Sequence, residues 1–393
     1  MKKRLNILII SESKNVVDGT QTNAELLLSK LERDGLEPNK NNFVYVVWSN
    51  VEGYEVIDKN IKMLRIKDDS IPVFRDLFQG RRLLAAVEKL GYRPDVIIVY
   101  DVRNLLNVHF LKKELGGTIA EFITNLPVSL SKTRQLPYLR SFYYYCIERF
   151  TRNVPDIVFV INETTKKYAL KIGIPKNKIN IFAPNVIKNE IPLAKVATKG
   201  KIRKKYSIID EKKIVLSVGR LEKEKGFDIL IKLFISMDDP SLVLIIVGEG
   251  RERSLLELLA HEQVLKGRII FAGFVAHSEI WEYYKDADIF ALLSLSEALG
   301  LVFWEAMYMD VPVLGARTGG IIETIGEKQE RGIFWDKNDT KIQFRDKIYE
   351  AINGSERENR VLAAHQYVLG KISTPETSRI LNDLLAESTK DMR

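Results

Sequence analysis

Two carboxylates, Glu297 and Glu305, stand eight residues apart in Ser294-Leu295-Ser296-Glu297-Ala298-Leu299-Gly300-Leu301-Val302-Phe303-Trp304-Glu305, and the chain changes character between them. An apolar run closes near Leu293, a loop carries Glu297, and a helix is expected from Gly300 or Leu301 onward. The start of such a helix offers backbone N–H groups without an intrahelical partner and the positive end of a dipole, a seat suited to phosphate. Glu305, about a turn into that helix, can accept hydrogen bonds from a sugar diol. A second loop, Val218-Gly219-Arg220-Leu221-Glu222-Lys223-Glu224-Lys225-Gly226-Phe227, places Arg220 and Lys225 between a strand and a helix. Arg220 can grip an anion with a planar fork and Lys225 can act on it as a point charge. Taken singly, each segment also reads as a solvated charged loop.

Positioning these residues requires strands that end together. Short β-branched runs alternate with amphipathic segments along the whole chain, the pattern of parallel sheets covered by helices on both faces. Strands are expected over 5–10, 43–47, 95–99, 118–123 and 156–160, and again over 213–218, 242–247, 268–271, 288–292 and 312–314. Helices are expected over 22–33, 227–236, 252–262 and 278–285. Glu297 then falls at the carboxyl end of a parallel strand, where open α/β sheets bind ligands. Two Rossmann-like units follow, an N-terminal domain over 1–190 and a C-terminal domain over 191–372, with a final helix over 373–393 that starts at Thr374-Pro375 and packs back on the first domain. The junction, 184–206, carries Lys195, Lys199, Lys201, Arg203, Lys204 and Lys205 with no acid between 195 and 205, and reads as a solvated linker with a helix.

A length of 393 residues suits two domains, and 46% hydrophobic with 28% charged residues excludes disordered, collagenous and coiled-coil classes. Charge is divided unevenly: residues 1–206 carry +15 and residues 207–393 carry −7, inside a net +8. A basic half suggests an anionic partner. Cys146 has no second cysteine to pair with, so nothing calls for an oxidising compartment, and its aromatic surroundings suggest a buried small hydrophobe. Lys2-Lys3-Arg4 before 5–10 imitates a signal peptide, but the apolar run is short and meets Glu12, which favours a buried strand. The apolar stretch 289–309 is interrupted by Glu297, Gly300 and Glu305, which excludes it as a membrane span. A cytoplasmic protein is expected.

Other patterns carry less. Asp286-Ala287-Asp288 imitates a metal-binding pair but closes a helix and opens a strand. Gly248-Glu249-Gly250 lacks the third glycine of a dinucleotide fingerprint, since Arg253 stands there. His109, His261, His277 and His365 share no ligand spacing, and no nucleophile elbow occurs. No metal and no cofactor is expected.

The two loops together with Gly248-Glu249-Gly250, Gly273-Phe274-Val275, Ala287-Asp288-Ile289 and Thr318-Gly319-Gly320-Ile321-Ile322-Glu323 resemble family 4 retaining glycosyltransferases of GT-B fold, two Rossmann-like domains facing each other across a cleft. The likeness is dense over 215–333 and thinner before it, through Gly19, Pro94-Asp95-Val96-Ile97 and Pro184-Asn185-Val186. It implies transfer of a sugar from a nucleotide-diphosphate donor, held by the second domain, to an acceptor hydroxyl on a glycan or lipid-linked saccharide, as in polysaccharide biosynthesis. It also implies roles. Glu297 contacts the donor sugar, Glu305 the ribose, Arg220 and Lys225 the diphosphate, Gly300 and Leu301 the phosphate through their N–H groups, and Val275 the base through its backbone. Gly19 lets first-domain backbone approach the donor, which loss of a Cβ permits.

Some positions depart from the family pattern. Ala298-Leu299-Gly300 stands where Gly-Phe-Gly is usual, Ile322 where proline is common, and Thr124-Asn125-Leu126-Pro127 where a histidine often bonds the sugar. These departures motivate a rival reading, a glycosyltransferase-like subunit that binds without turnover. Four retained charged groups, Glu297, Glu305, Arg220 and Lys225, oppose it. Nucleic acid is not an expected partner, because no recognition module is present. The run Lys132, Arg134, Arg140, Tyr143, Tyr144, Tyr145, Arg149 and Arg152 interleaves bases with aromatics and fits peripheral contact with an anionic membrane at its inner face, or else aromatics that are core.

Overall fold

The computed structural model describes residues 6–11, 41–49, 53–67, 75–100, 102–123, 145–147, 149–181 and 191–372. They fall into two compact units, one within residues 1–185 and one within 186–373. Expectations that rest on Gly19, the helix over 22–33, Asn125, Lys132, Arg134, Arg140, Tyr143, Tyr144, Pro184-Asn185 and the segment 373–393 lie outside the described residues.

The first unit is built on an eight-stranded sheet. Its strands are β1 (Asn6–Ser11), β2 (Asn42–Ser49), β3 (Gly53–Asp58), β4 (Ile61–Lys67), β5 (Val96–Val99), β6 (Thr118–Ile123), β7 (Ile157–Val160) and β8 (Ile179–Ile181), in the order β3-β4-β2-β1-β5-β6-β7-β8. All pairs are parallel except β3 with β4, an antiparallel addition at the edge that alternation did not announce. Strands such as Val96–Val99 are buried along their whole length, as both-face coverage demands. Helices α1 (Arg75–Lys89) and α2 (Val102–Leu115) cover the sheet with Leu83, Val87, Leu105, Val108 and Leu111. Helix α3 (Glu163–Lys171) begins at Asn162, whose side chain accepts from the Thr165 N–H while Thr165 returns the bond, so the turn out of β7 is capped reciprocally.

The second unit carries a fully parallel six-stranded sheet built from β9 (Lys213–Val218), β10 (Leu242–Val247), β11 (Ile269–Gly273), β12 (Ile289–Leu292), β13 (Val313–Ala316) and β14 (Ile333–Trp335), in the order β11-β10-β9-β12-β13-β14. Helices α6 (Phe227–Met237) and α7 (Arg253–Leu265) follow β9 and β10. The order reverses between β9 and β12, the switch point at which such sheets open a crevice. Five of its strands match expectation within two residues. The sixth, β14, was not anticipated, since three residues are too short to show a period.

The basic junction is not merely solvated. Helices α4 (Ile191–Val196) and α5 (Lys201–Lys205) pack on α8 (His277–Asp286), so this stretch belongs to the second unit. Asp286 accepts from the N–H groups of Gly200, Ile202 (2.7 Å) and Arg203 (3.1 Å) at the start of α5. Asp288 takes the Arg203 guanidinium at 2.8 Å, the Lys213 ammonium at 3.3 Å and the Ile214 N–H at 2.9 Å. The acids that balance residues 195–205 come from a distant segment, which is why that stretch of sequence shows none.

Candidate functional site

Three loops leave the carboxyl ends of β9, β12 and β13, neighbours in the sheet, and their main chains are tied to one another. The first passes through a 3-10 turn, Lys223–Lys225, and reverses at Gly226, whose φ of 67° is left-handed. A Cβ on Gly226 would run into the Leu293 carbonyl, and the Leu295 N–H donates to the Glu224 carbonyl at 2.8 Å. This close approach carries Lys225 to Glu297: Nζ lies 2.6 Å from Oε2, with the side chains 17% and 13% exposed. Ser294 Oγ reaches the same oxygen at 3.4 Å. From the other side the Gly320 N–H donates to the Glu297 carbonyl at 2.9 Å, and Gly319 (φ 47°) has no room for a Cβ against that carbonyl. Thr318 Oγ1 donates to the Leu295 carbonyl at 3.3 Å. Of these partners, Gly226, Ser294, Gly319 and Gly320 escaped sequence reasoning as parts of the site. The left-handed glycines were its only available signal.

Helix α9 (Leu301–Tyr308) starts at Gly300, left-handed at φ 74°, where no side chain caps it and the Phe303 N–H donates to the Gly300 carbonyl at 2.9 Å. Its start lies next to Glu297, whose Cγ would be 3.4 Å from a Cβ on Gly300. Glu305 is placed differently. It is 5% exposed and accepts from the Tyr284 hydroxyl of α8 at 2.7 Å through Oε2. Trp304, beside it, donates to Thr324 at 3.2 Å, and Thr324 donates to the Leu299 carbonyl at 3.2 Å.

Arg220 is not drawn into the Lys225–Glu297 pair. It is 71% exposed and sits 3.7 Å from Glu224. Gly248-Glu249-Gly250 lashes neighbouring loops together: the Leu221 N–H donates to the Glu249 carbonyl, the Glu252 N–H to the Leu221 carbonyl, and the Gly248 N–H to the Gly273 carbonyl, at 2.8, 2.9 and 2.8 Å. Val275, half-buried, follows Gly273 at the end of β11, and the ring of Phe274 between them is 79% exposed. Among the described residues no group of three acidic, histidine or cysteine side chains is arranged to hold a metal ion, and Asp286 and Asp288 are spent on α5 and the start of β9. Cys146 is half-buried rather than buried. No described helix is long and apolar enough to cross a membrane.

Residues 198–366 match the family described as glycosyl transferases group 1. The chain is 29% identical over 333 residues to the uncharacterized glycosyltransferase MJ1607 of Methanocaldococcus jannaschii, which covers 81% of each chain. It is 29% identical over 199 residues to the GDP-mannose-dependent alpha-(1-6)-phosphatidylinositol monomannoside mannosyltransferase of Mycobacterium tuberculosis, covering 48% of this chain and 50% of that one. Sucrose-phosphate synthase from Thermosynechococcus elongatus superposes with a TM-score of 0.78 at 17% identity, over 99% of this chain and 100% of that one. The architecture is therefore that of GT-B proteins, and the likeness to glycosyl transferases group 1 lies in residues 198–366, the stretch that carries the three loops.

Proposed function

We propose that the protein is a retaining, metal-independent glycosyltransferase that moves a sugar from a nucleoside-diphosphate donor to an acceptor hydroxyl. The observation that carries this reading is the Lys225–Glu297 pair held beside the uncapped start of α9, at the switch point of a parallel sheet and inside the matched stretch. Lys225 spends one of its three N–H donors on Glu297, and the others can meet the diphosphate. The exposed Arg220 can fold onto the same anion, and the N–H groups at Gly300 and Leu301 complete its cradle. Glu297 faces the donor sugar and Glu305 accepts from the ribose. The Val275 backbone pairs with the base.

In the transfer step the bond between the anomeric carbon and the diphosphate oxygen breaks, and the electron pair leaves with the diphosphate. The acceptor oxygen bonds to the same face of the sugar and its proton passes to the departing phosphate oxygen. Lys225, Arg220 and the helix start stabilise the charge that grows on the leaving group, so neither a metal nor a protein nucleophile is needed. A screen of UDP-, GDP- and ADP-sugars for donor hydrolysis, followed by proton NMR of the product anomer, tests the proposal. Retained configuration is expected. Inversion overturns the retaining assignment, and donor binding without hydrolysis or transfer favours a binding subunit.

The acceptor we favour is lipid-linked and reached at the inner face of a membrane from the cytoplasm. Residues 145–147 and 149–151 are helical, and there Phe150 is 88% exposed, with Tyr145 also exposed, beside Arg149 and Arg152. Aromatic rings among basic groups suit a membrane interface. A relative whose name specifies a phosphatidylinositol monomannoside supports the same class of acceptor.

A further inference from the structure

A carboxylate set among aromatic side chains is costly unless it is hydrogen-bonded, and Glu305 is so placed. Its partner Tyr284 is wholly buried on α8, with its ring 6.1 Å from Trp281 and 6.1 Å from Phe290, which in turn meets Phe303 edge-on at 5.0 Å. The ring is wedged, so its hydroxyl has little freedom. It lies 2.7 Å from Glu305 Oε2 and 3.4 Å from the Val302 carbonyl. A phenylalanine would fill the same space, so packing does not account for the hydroxyl. We infer that Tyr284 is a positioning residue: its O–H fixes the direction of the Glu305 carboxylate so that the carboxylate meets the ribose diol of the donor without reorienting. This rests on the assignment of Glu305 to the ribose given above.

A hydrogen bond to a charged group that must be rebuilt on binding costs roughly tenfold in affinity. The experiment is calorimetric titration with whichever of UDP, GDP and ADP binds the wild-type chain, and with its 2′,3′-dideoxy counterpart. Tyr284→Phe is expected to weaken the ribonucleotide about tenfold and to leave the dideoxy analogue within about twofold of wild type. The dideoxy titration doubles as a test of folding. Equal losses for both nucleotides, or none for either, overturn the positioning role. Glu305→Gln, titrated in parallel, separates the two ideas. If it discriminates between the nucleotides and Tyr284→Phe does not, only the tyrosine inference fails. If Glu305→Gln shows no discrimination, the ribose assignment itself falls, and this inference falls with it.

Discussion

An ammonium pinned 2.6 Å from a carboxylate that is 13% exposed cannot be removed without leaving a charge behind. Lys225→Ala should therefore weaken nucleoside-diphosphate binding and also lower stability by about 1–3 kcal/mol, the cost of an unpaired buried charged group. Arg220→Ala should weaken binding with a stability change below about 0.5 kcal/mol, because the side chain is largely solvated. Calorimetry and urea melts on the two variants check this, and equal melts would place both cations in the same solvent. Glu297→Gln should spare nucleotide affinity and cut turnover by about 100-fold or more, measured in a transfer assay. Spacing and type singled out Glu297, Glu305, Arg220 and Lys225 in the sequence. They did not show which of these meet. Tyr284 lies in Trp281-Glu282-Tyr283-Tyr284, a stretch that reads only as an amphipathic helix, and its hydroxyl acquires meaning once α8 packs on α9.

At the scale of elements, what holds Glu297 is mostly main chain. Gly226→Ala adds a methyl where the Leu293 carbonyl already stands, at a left-handed φ, so it should destabilise the second unit by about 2–4 kcal/mol and misplace Lys225. A loss of stability and of nucleotide binding together, by denaturant melt and calorimetry, is the expected result; binding without change would show that the loop tolerates the shift. Asp286→Ala makes the contrasting case. It removes the acceptor of three N–H groups at the start of α5, and a cost of about 1–2 kcal/mol with unchanged nucleotide affinity is expected from the same measurements. Its sequence, Asp-Ala-Asp, announced a helix end and a strand start, which is right, but the capped helix lies some eighty residues earlier and no local pattern could name it. Strands of the second sheet were legible because burial on both faces writes unbroken apolar runs, as in Leu242–Val247. Gly53–Asp58 was not, because Tyr54 and Val56 are exposed at an edge where the glycine, glutamate and aspartate around them look like loop.

For the molecule as a whole, the division of charge was legible from counting alone, whereas Phe150 was not, since an aromatic in sequence says nothing about which way it faces. If the basic first half meets anionic lipid, each well-placed Lys or Arg contributes roughly 1 kcal/mol, and sedimentation with phosphatidylglycerol vesicles should fall as salt rises. Phe150→Ser should reduce it further at fixed salt, and equal sedimentation with neutral phosphatidylcholine vesicles would overturn the electrostatic reading. Turnover should survive exhaustive chelation in the same preparation; activity that returns only with Mg²⁺ or Mn²⁺ would overturn metal independence. The lashing of the three loops has a consequence for descent. Bonds from the Leu295 N–H, the Leu295 carbonyl, the Glu297 carbonyl and the Leu299 carbonyl use only the main chain of this loop, so a lineage can replace Ser296 and Ala298 while a single inserted or deleted residue breaks the register of every tie. New sugar preferences should then arise here by substitution at constant loop length, and a library that varies composition should keep far more folded members than one that varies length.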